Sequence, residues 1–531
     1  MITLFLILIV VVILTSIWLN NVSARIGVPT LLAFIALGIV FGNVGAIPVY
    51  LDNHDFAKDV CSVALLFIMF YGGFGTRWEA VRPVVRESVL LASLGVVVTA
   101  GLTGLFCHVA LGWEWAESFL LGAVVSSTDA ASVFSILRGK KLGLKNNTAP
   151  MLEMESGSND PASYMLTAIM ISVVNGTASG WSLAWMLVRQ LVFGAGLGWG
   201  IAKVASWALR RMRFSTDGFD TLFVFAIAIA SYAFPDLLGG NGYLSAYIVG
   251  VMLGNEEFKG KRSMAGFFDG LTGLMQVLIF FILGLLARPA LMHRAVLPAI
   301  AISIFMLSVA RPAAVFGILT PFRRYAPRQQ CLISFVGLRG AASIVFSIMA
   351  VSGTGALGID IFNIVFCIVL ISISLQGSLI PWVAGRLDML DAGDNVMKTF
   401  NDYSETTEMR FGSIDISDGS SWDGKKVMDL GLPGNVLIAL VIRGKERITA
   451  RGDTILRTGD RVILVTKSFE DAGTFLIEKT VKPGGKSVGR SISEFDAEGL
   501  VLLIRRGDEE IIPHGETVLE AGDILVILKS R

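Results

Sequence analysis

The sequence predicts a multi-pass α-helical membrane protein with about 13 transmembrane helices, followed by small β-rich cytoplasmic domains. Three observations lead to this prediction. The 531 residues are 53% hydrophobic and only 16% charged, which is too apolar for a soluble chain of this length. Apolar runs long enough to cross a bilayer fill residues 1–386. Residues 400–531, in contrast, have the composition of an ordinary soluble chain.

Apolar runs of spanning length are expected at 3–20, 28–46, 59–75, 86–110, 116–138, 159–176, 183–209, 219–235, 240–254, 268–288, 294–320, 329–352 and 360–385. The first run lacks the basic residues that open a signal peptide, so we expect it to be a membrane helix. The run at 240–254 is short, and a count of 12 helices stays open.

Loop charges predict the orientation. Lys and Arg number 19 in the loops on one side of the expected helices and 3 on the other. Because cytoplasmic loops carry the excess of positive charge, the N-terminus is expected outside and the soluble tail in the cytoplasm. A net charge of +1 argues against a nucleic-acid partner.

Two polar stretches interrupt the apolar sequence. Residues 126–129 lie inside the fifth run, and residues 153–161 lie at the head of the sixth. A charged side chain at the bilayer centre costs about 2.5–3.5 kcal/mol on insertion scales, so such residues usually line a cavity or an ion path. We expect the backbone to unwind at Thr128 and Asp129, and Pro161 to stand near the start of the sixth helix. The alternative, that the second stretch only caps a helix, leaves Asp129 unexplained.

These stretches predict a monovalent cation site. Ser156, Asn159 and Asp160 fall within one or two helical turns and can share a site. We expect the hydroxyl, amide and carboxylate groups of the two stretches to form the site, with Asp160 exchanging the cation for protons, because hard oxygen ligands suit alkali cations. Burial favours the protonated form of Asp160 and a bound cation favours the charged form, so protons and cations displace each other.

Two basic residues also lie within apolar runs. Arg339 is in a glycine-flanked break of the twelfth run, and Arg311 is in the eleventh. Since an unpaired arginine is costly in the membrane, each is expected to meet a carboxylate or a backbone carbonyl. Glu155 is the expected partner of Arg339.

The soluble tail repeats itself after 63 residues. Five residues of the first copy recur in the second: Gly444, Gly452, Thr454, Gly459 and Asp460 return as Gly507, Gly515, Thr517, Gly522 and Asp523. The repeat predicts two small β-rich modules, at about 400–468 and 469–531, after a membrane domain at 1–390.

The membrane motifs resemble a known family. Ser127-Thr128-Asp129, Glu155 to Pro161, Ala310-Arg311-Pro312 and Gly337-Leu338-Arg339-Gly340 together resemble the NhaP branch of the monovalent cation:proton antiporter-1 family. They are most similar to the bacterial potassium/proton antiporters called cell volume regulation protein A. The resemblance covers residues 1–390.

This resemblance implies a homodimer in the bacterial inner membrane, with inverted repeats, broken crossing helices and a six-helix bundle that moves against a dimerisation domain. Asp160 would bind both cation and proton, and Thr128, Asp129 and Ser156 would line the site. A supporting network would contain Glu155, Asn159, Arg339 and Arg311. Asn159 stands where electrogenic relatives have an aspartate, which implies electroneutral exchange.

The tail resembles the C-terminal half of RCK domains, the TrkA-C module. That likeness implies regulation of transport by a small ligand, for which a cyclic dinucleotide is one candidate; the nucleotide-binding RCK half is absent from this sequence.

The expected function is therefore that of a secondary transporter rather than an enzyme, without a cofactor, exchanging potassium for protons. Sodium is the first alternative. A ligand-gated potassium efflux channel is the alternative from a different class, and it predicts conduction without proton movement.

Overall fold

The computed structural model describes residues 10–18, 30–43, 54–139, 142–177, 180–212, 218–258, 261–355, 357–391, 409–417, 420, 422–432, 436–444, 446–467, 474–481, 487–492, 500–506, 509–511 and 513–530. The chain divides into two compact units, Met1–Ser404 and Glu405–Arg531. The first is mainly helical and the second is built from β-strands.

The helices of the first unit are α1 (10–18), α2 (Thr30–Asn43), α3 (His54–Gly75), α4 (Trp78–Leu111), α5 (Trp115–Val124), α6 (Ala130–Gly139), α7 (Thr148–Val174), α8 (Gly180–Arg211), α9 (Phe219–Leu237), α10 (Gly242–Gly254), α11 (Lys261–Leu286), α12 (289–322), α13 (Pro327–Phe335), α14 (Ala341–Gly353) and α15 (Ile361–Arg386). Each predicted apolar run contains a described helix, although residues 3–9, 19 and 20 of the first run and residues 28, 29 and 44–46 of the second lie outside the described part. Within the described residues, seven helices are long and apolar enough to cross a membrane.

Two of the predicted runs are broken helices, as the sequence predicts. The backbone leaves the helical conformation between α5 and α6 and again between α13 and α14. Each break lies in a group that starts with a long helix containing a π-helical turn, Leu91–Gly95 in α4 and Met306–Ala310 in α12. Each group ends with a long helix, α7 or α15. Six predicted spans lie between the spans of α4 and α12, so these two helices and the groups that they start cross the membrane in opposite senses, as inverted repeats do.

The start of α7 differs from the prediction. The helix begins at Thr148 rather than near 159, and Pro161 lies in its interior. The prediction that Pro161 stands near the helix start was wrong. The apolar run does not include Glu153 and Glu155, but the helix continues through both residues because the protein buries them. Pro161 removes one helical donor, and its own carbonyl accepts a 2.9 Å bond from Asn241 Nδ2.

Glycines bring α10 close to α3. A Cβ at Gly250 would overlap the carbonyl of Phe70, and one at Gly254 would overlap the carbonyl of Phe74. Small residues allow this close backbone approach between membrane helices. The contact fixes α10, which in turn faces α7.

The strands are β1 (Gly143–Leu144), β2 (Leu390–Asp391), β3 (Met409–Asp415), β4 (Val436–Arg443), β5 (Glu446–Thr449), β6 (Asp460–Lys467), β7 (Thr474–Thr480), β8 (Leu500–Arg506), β9 (Glu509–Ile511) and β10 (Ile524–Ser530). The first two pair with each other near the end of the helical unit. The other eight form two four-stranded antiparallel sheets, with orders β3-β6-β4-β5 and β7-β10-β8-β9. Both sheets have the same topology.

The repeat extends to individual atoms. Arg443 Nε donates to Asp460 Oδ1 at 2.7 Å, and Arg506 Nε donates to Asp523 Oδ1 at 2.9 Å. The arginine holds the pKa of each aspartate below its ordinary value. The stabilisation is therefore present above the unfolded pKa near 3.9 and is lost only as pH falls through the lowered value.

The glycine that precedes each of these aspartates has positive φ, 89° at Gly459 and 96° at Gly522, a conformation that favours glycine. Gly507, another predicted repeat position, lies outside the described residues.

Candidate functional site

The unwound segments of the two broken helices cross and hydrogen-bond. The backbone N–H of Asp129 donates to the carbonyl of Leu338 at 2.8 Å. On the far side of the crossing, the N–H of Arg339 donates to Ser372 Oγ at 3.0 Å. Ser372 begins the π-helical turn of α15. Backbone groups that the breaks release from helical bonding are thus satisfied within the protein.

Charged side chains satisfy the helix ends at the crossing. Asp129 caps α6, because its carboxylate accepts from the N–H of Ser132 at 3.1 Å and from its hydroxyl at 2.6 Å. Arg339 Nη1 donates to the carbonyl of Ser126 at 2.9 Å and to that of Ser127, just beyond the end of α5. A carboxylate at a helix N-terminus and a cation at a C-terminus each complement the helix dipole.

Side chains from α7 join the first break. Ser156 Oγ donates to the Thr128 carbonyl at 2.8 Å and accepts from the N–H of Ala130 at 2.9 Å. Asn159 Nδ2 donates to Thr128 Oγ1 at 2.5 Å. The structure therefore brings together Thr128, Ser156 and Asn159, which the sequence separates by up to 31 residues.

Asp160 lies in the same cluster. Only 6% of the residue is exposed. Its carboxylate interacts with the hydroxyl of Ser127 and lies within electrostatic range of the Asp129 carboxylate. Within the described residues, Oδ1 of Asp160 has no hydrogen-bond partner. This buried oxygen is free to accept a proton or to coordinate a cation, and neighbouring hydroxyl and carbonyl oxygens are ligands that an alkali cation accepts.

The ion pair behind the crossing differs from the prediction. Glu155 Oε1 lies 2.5 Å from Arg311 Nη2, with side-chain exposures of 1% and 3%. The predicted pair of Glu155 with Arg339 was wrong. Arg339 instead binds carbonyls, and Arg311 reaches Glu155 past Gly337, where a Cβ would lie 2.9 Å from its Nε. A buried carboxylate and a buried guanidinium each need such compensation.

Several polar residues at the site were not predicted from the sequence. Ser163 Oγ donates to the carbonyl of Ala123 at 2.6 Å and bonds Ser126 Oγ at 3.1 Å. Gln376 accepts from Ser372 Oγ at 3.0 Å, and its amide donates to the carbonyl of Phe335. The available signal was a lone hydroxyl or amide within an apolar run.

Comparisons with known proteins agree with this geometry. The family model described as "Sodium/hydrogen exchanger, transmembrane" matches residues 9–386. The TrkA-C domain model matches residues 412–468 and 476–530.

Among curated relatives, a K(+)/H(+) antiporter NhaP2 of Shewanella sp. (strain ANA-3) is 32% identical over 92% of this chain and 85% of its own. A K(+)/H(+) antiporter NhaP of Alkalimonas amylolytica is 33% identical over 86% of this chain and 80% of its own. An Na(+)/H(+) antiporter NhaS2 of Synechocystis sp. is 23% identical over 70% of this chain and 71% of its own.

A solved structure shares the fold. The sodium proton antiporter MjNhaP1 from Methanocaldococcus jannaschii, determined at pH 8, superposes with a TM-score of 0.62. It covers 75% of this chain and 99% of its own, with 19% sequence identity.

Proposed function

This multi-pass membrane chain belongs to the transmembrane sodium/hydrogen exchanger family and is a cation/proton antiporter of the NhaP type, and from this premise we propose that Asp160 exchanges potassium for protons. The single observation that carries the proposal is that Oδ1 of Asp160, buried beside the unwound turn of a broken helix, has no hydrogen-bond partner in the described part of the chain. A membrane-depth carboxylate of this kind marks an ion path.

Competition at one acid accounts for the exchange. Asp160 releases its proton when a cation binds and takes a proton when the cation leaves, because the two cannot share the carboxylate. The loaded site is neutral and crosses between the two membrane faces, whereas the empty site is charged and crosses poorly. Thr128, Ser156 and Asp129 line this site in the proposal, and Glu155, Asn159, Arg311 and Arg339 support it.

Potassium is favoured over sodium because the relatives at 32% and 33% identity are named K(+)/H(+) antiporters. The relative named for sodium is only 23% identical. Oxygen ligands serve both ions, so sodium is the alternative substrate. Electroneutral exchange is proposed because Asn159 is neutral and donates its amide to Thr128, which leaves one titrating acid at this position of α7.

The remaining proposals concern the whole chain. We place it in the bacterial inner membrane as a homodimer, with the N-terminus outside and the tail cytoplasmic. The proposed domains are the exchanger at 1–390 and TrkA-C modules at 400–468 and 469–531. These modules regulate transport by binding a small ligand, with a cyclic dinucleotide as one candidate.

Proteoliposomes with a trapped pH dye test the proposal. The wild-type protein is expected to move protons when potassium is added, with a weaker response to sodium. The D160N variant should fold and show no cation-driven proton movement. D236N is the matched control, because Asp236 is an exposed acid at the end of α9, and it should behave as wild type. Proton movement by D160N at the wild-type rate would remove Asp160 from this role, and potassium flux without proton movement would favour the channel.

A further inference from the structure

A cavity of about 280 Å³ lies beside the break between α13 and α14, where α12 and α15 flank it. Its walls include residues from two π-helical turns, Met306–Ala310 of α12 and Ser372–Gln376 of α15. Such turns widen a helix locally and are frequent at functional sites. Among the described residues, none of those that line the cavity belongs to α5, α6 or α7. The cavity is therefore distinct from the cluster around Asp160.

The inner wall of the cavity contains buried polar residues whose charges and amides are engaged within the protein. Arg339 donates to the carbonyls that follow α5, and Arg311 pairs with Glu155. Gln376 accepts from the hydroxyl of Ser372. The inner wall thus holds no uncompensated charge for an ion, and an apolar cavity of more than about 150 Å³ takes up apolar molecules rather than water. We therefore expect an apolar occupant.

Exposed aliphatic side chains form the mouth of the cavity. Ile304 and Leu307 of α12 line one side, and Leu375 and Leu379 of α15 line the other. Each of the four is more than a third exposed, in contrast to the buried arginines of the inner wall. An opening made of these side chains admits hydrocarbon.

The mouth lies at the middle of both membrane spans. Leu307 is the central residue of the span Met292–Phe322, and Leu375 lies within two residues of the centre of Ile361–Arg386. The hydrocarbon core of a bilayer is about 30 Å thick, so exposed side chains at mid-span meet lipid tails and neither water nor headgroups. The apolar groups that surround the mouth are therefore lipid acyl chains.

We propose that this cavity binds the acyl chain of a membrane lipid. Gly337 and Arg339 belong both to the cavity wall and to the unwound segment between α13 and α14. A chain in the cavity therefore packs against the backbone that crosses the first break. The inference goes beyond cation exchange at Asp160, because the ligand is uncharged and its site contains no residue of α7.

Photolabelling in proteoliposomes tests the site. The probe is a phosphatidylcholine with a diazirine near the end of one acyl chain, where the chain reaches the bilayer midplane. Mass spectrometry of the wild-type protein should find adducts on the cavity residues Ile304, Leu307 and Leu375. Their yield should be about fivefold above that on Leu94 and Val97, a preference of about 1 kcal/mol over the surrounding lipid. Leu94 and Val97 are exposed residues of α4, the helix that corresponds to α12 in the first group.

A variant that fills the cavity gives a second measurement. Ser303 lines the cavity, and its hydroxyl has no hydrogen-bond partner in the described part of the chain. S303F places a ring in this space and should lower the yield on the cavity residues to that on Leu94 and Val97. S308F is the matched control, because Ser308 is an exposed serine of the same helix that does not line the cavity. It should be labelled as the wild type is.

Two outcomes would overturn the proposal. The first is a wild-type yield at the cavity residues no higher than at Leu94 and Val97, which needs no variant; a second copy of the chain seated on the mouth would give this result by excluding the lipid. The second is unchanged labelling of the cavity residues in folded S303F. The D160N variant should be labelled as the wild type is, so this proposal and the proposed exchange at Asp160 fail independently.

Discussion

Arg311 and Arg339 are two buried guanidinium groups next to the broken helices, and they have different roles. Arg311 neutralises Glu155 in a pair that is almost fully buried. Arg339 donates to the carbonyls of Ser126 and Ser127, which the end of α5 leaves without helical donors. One arginine therefore compensates a charge, and the other holds the unwound backbone in place.

A double-mutant cycle should distinguish these two tasks. E155Q or R311M alone should cost about 3–5 kcal/mol, because each leaves a buried charge without its partner. The double variant should lose less than the sum, which gives a coupling energy for the pair. Unfolding of the purified protein in detergent, followed with temperature or denaturant, supplies the values.

The second cycle pairs E155Q with R339M and serves as the control. We expect little coupling in it, because no direct contact joins Arg339 to Glu155 within the described residues. A larger coupling for Arg339 than for Arg311 would contradict the ion pair that the structure contains.

At the scale of elements, the crossing of the broken helices depends on a glycine. Gly340 precedes α14, and a Cβ there would overlap the carboxylate of Asp129, which caps α6. Space for the carboxylate of Asp129 therefore requires glycine at this position.

G340A should strongly reduce both exchange and the amount of folded protein. The added methyl group must displace either the cap of α6 or the bond between Asp129 N–H and Leu338. The matched control is G200A, where no described atom lies within 4 Å of the added Cβ; it should be neutral or slightly stabilising, because alanine is the better helix former. Chromatographic yield and proton movement in proteoliposomes are the measurements. Exchange by G340A at the wild-type rate would contradict the requirement for glycine at position 340.

The two helix breaks could be predicted from the sequence, whereas the partner of Glu155 and the start of α7 could not. The breaks were predictable because Thr128, Asp129 and Arg339 are polar residues in apolar runs, and such residues force the backbone toward a protein-lined interior. The choice of partner for Glu155 was not, because Arg311 and Arg339 are equally good by type and only three-dimensional packing past Gly337 decides. The start of α7 was missed because burial, not apolar length, lets the helix run through Glu153 and Glu155.

At the scale of the whole molecule, the site and the modules belong to separate units. Among the described residues, the hydrogen bonds of the crossing, from Ala123 to Gln376, all lie within Met1–Ser404. The modules carry their own cores and their own Arg–Asp pairs. Those pairs stay charged at neutral pH because the pKa of each aspartate is lowered, so their titration does not supply a pH response near neutrality.

Deleting residues 400–531 should therefore change the activation of exchange and leave the exchange itself in place. The truncated protein keeps Asp160, both breaks and the Glu155–Arg311 pair, so potassium should still drive proton movement in proteoliposomes. What should disappear is any dependence on a ligand of the modules, and deletion of 469–531 alone should reveal whether one copy is sufficient for it. The truncated D160N variant is the control and should be inactive. If the truncated protein is folded and moves no protons, the tail is part of the transport machinery rather than a regulator of it.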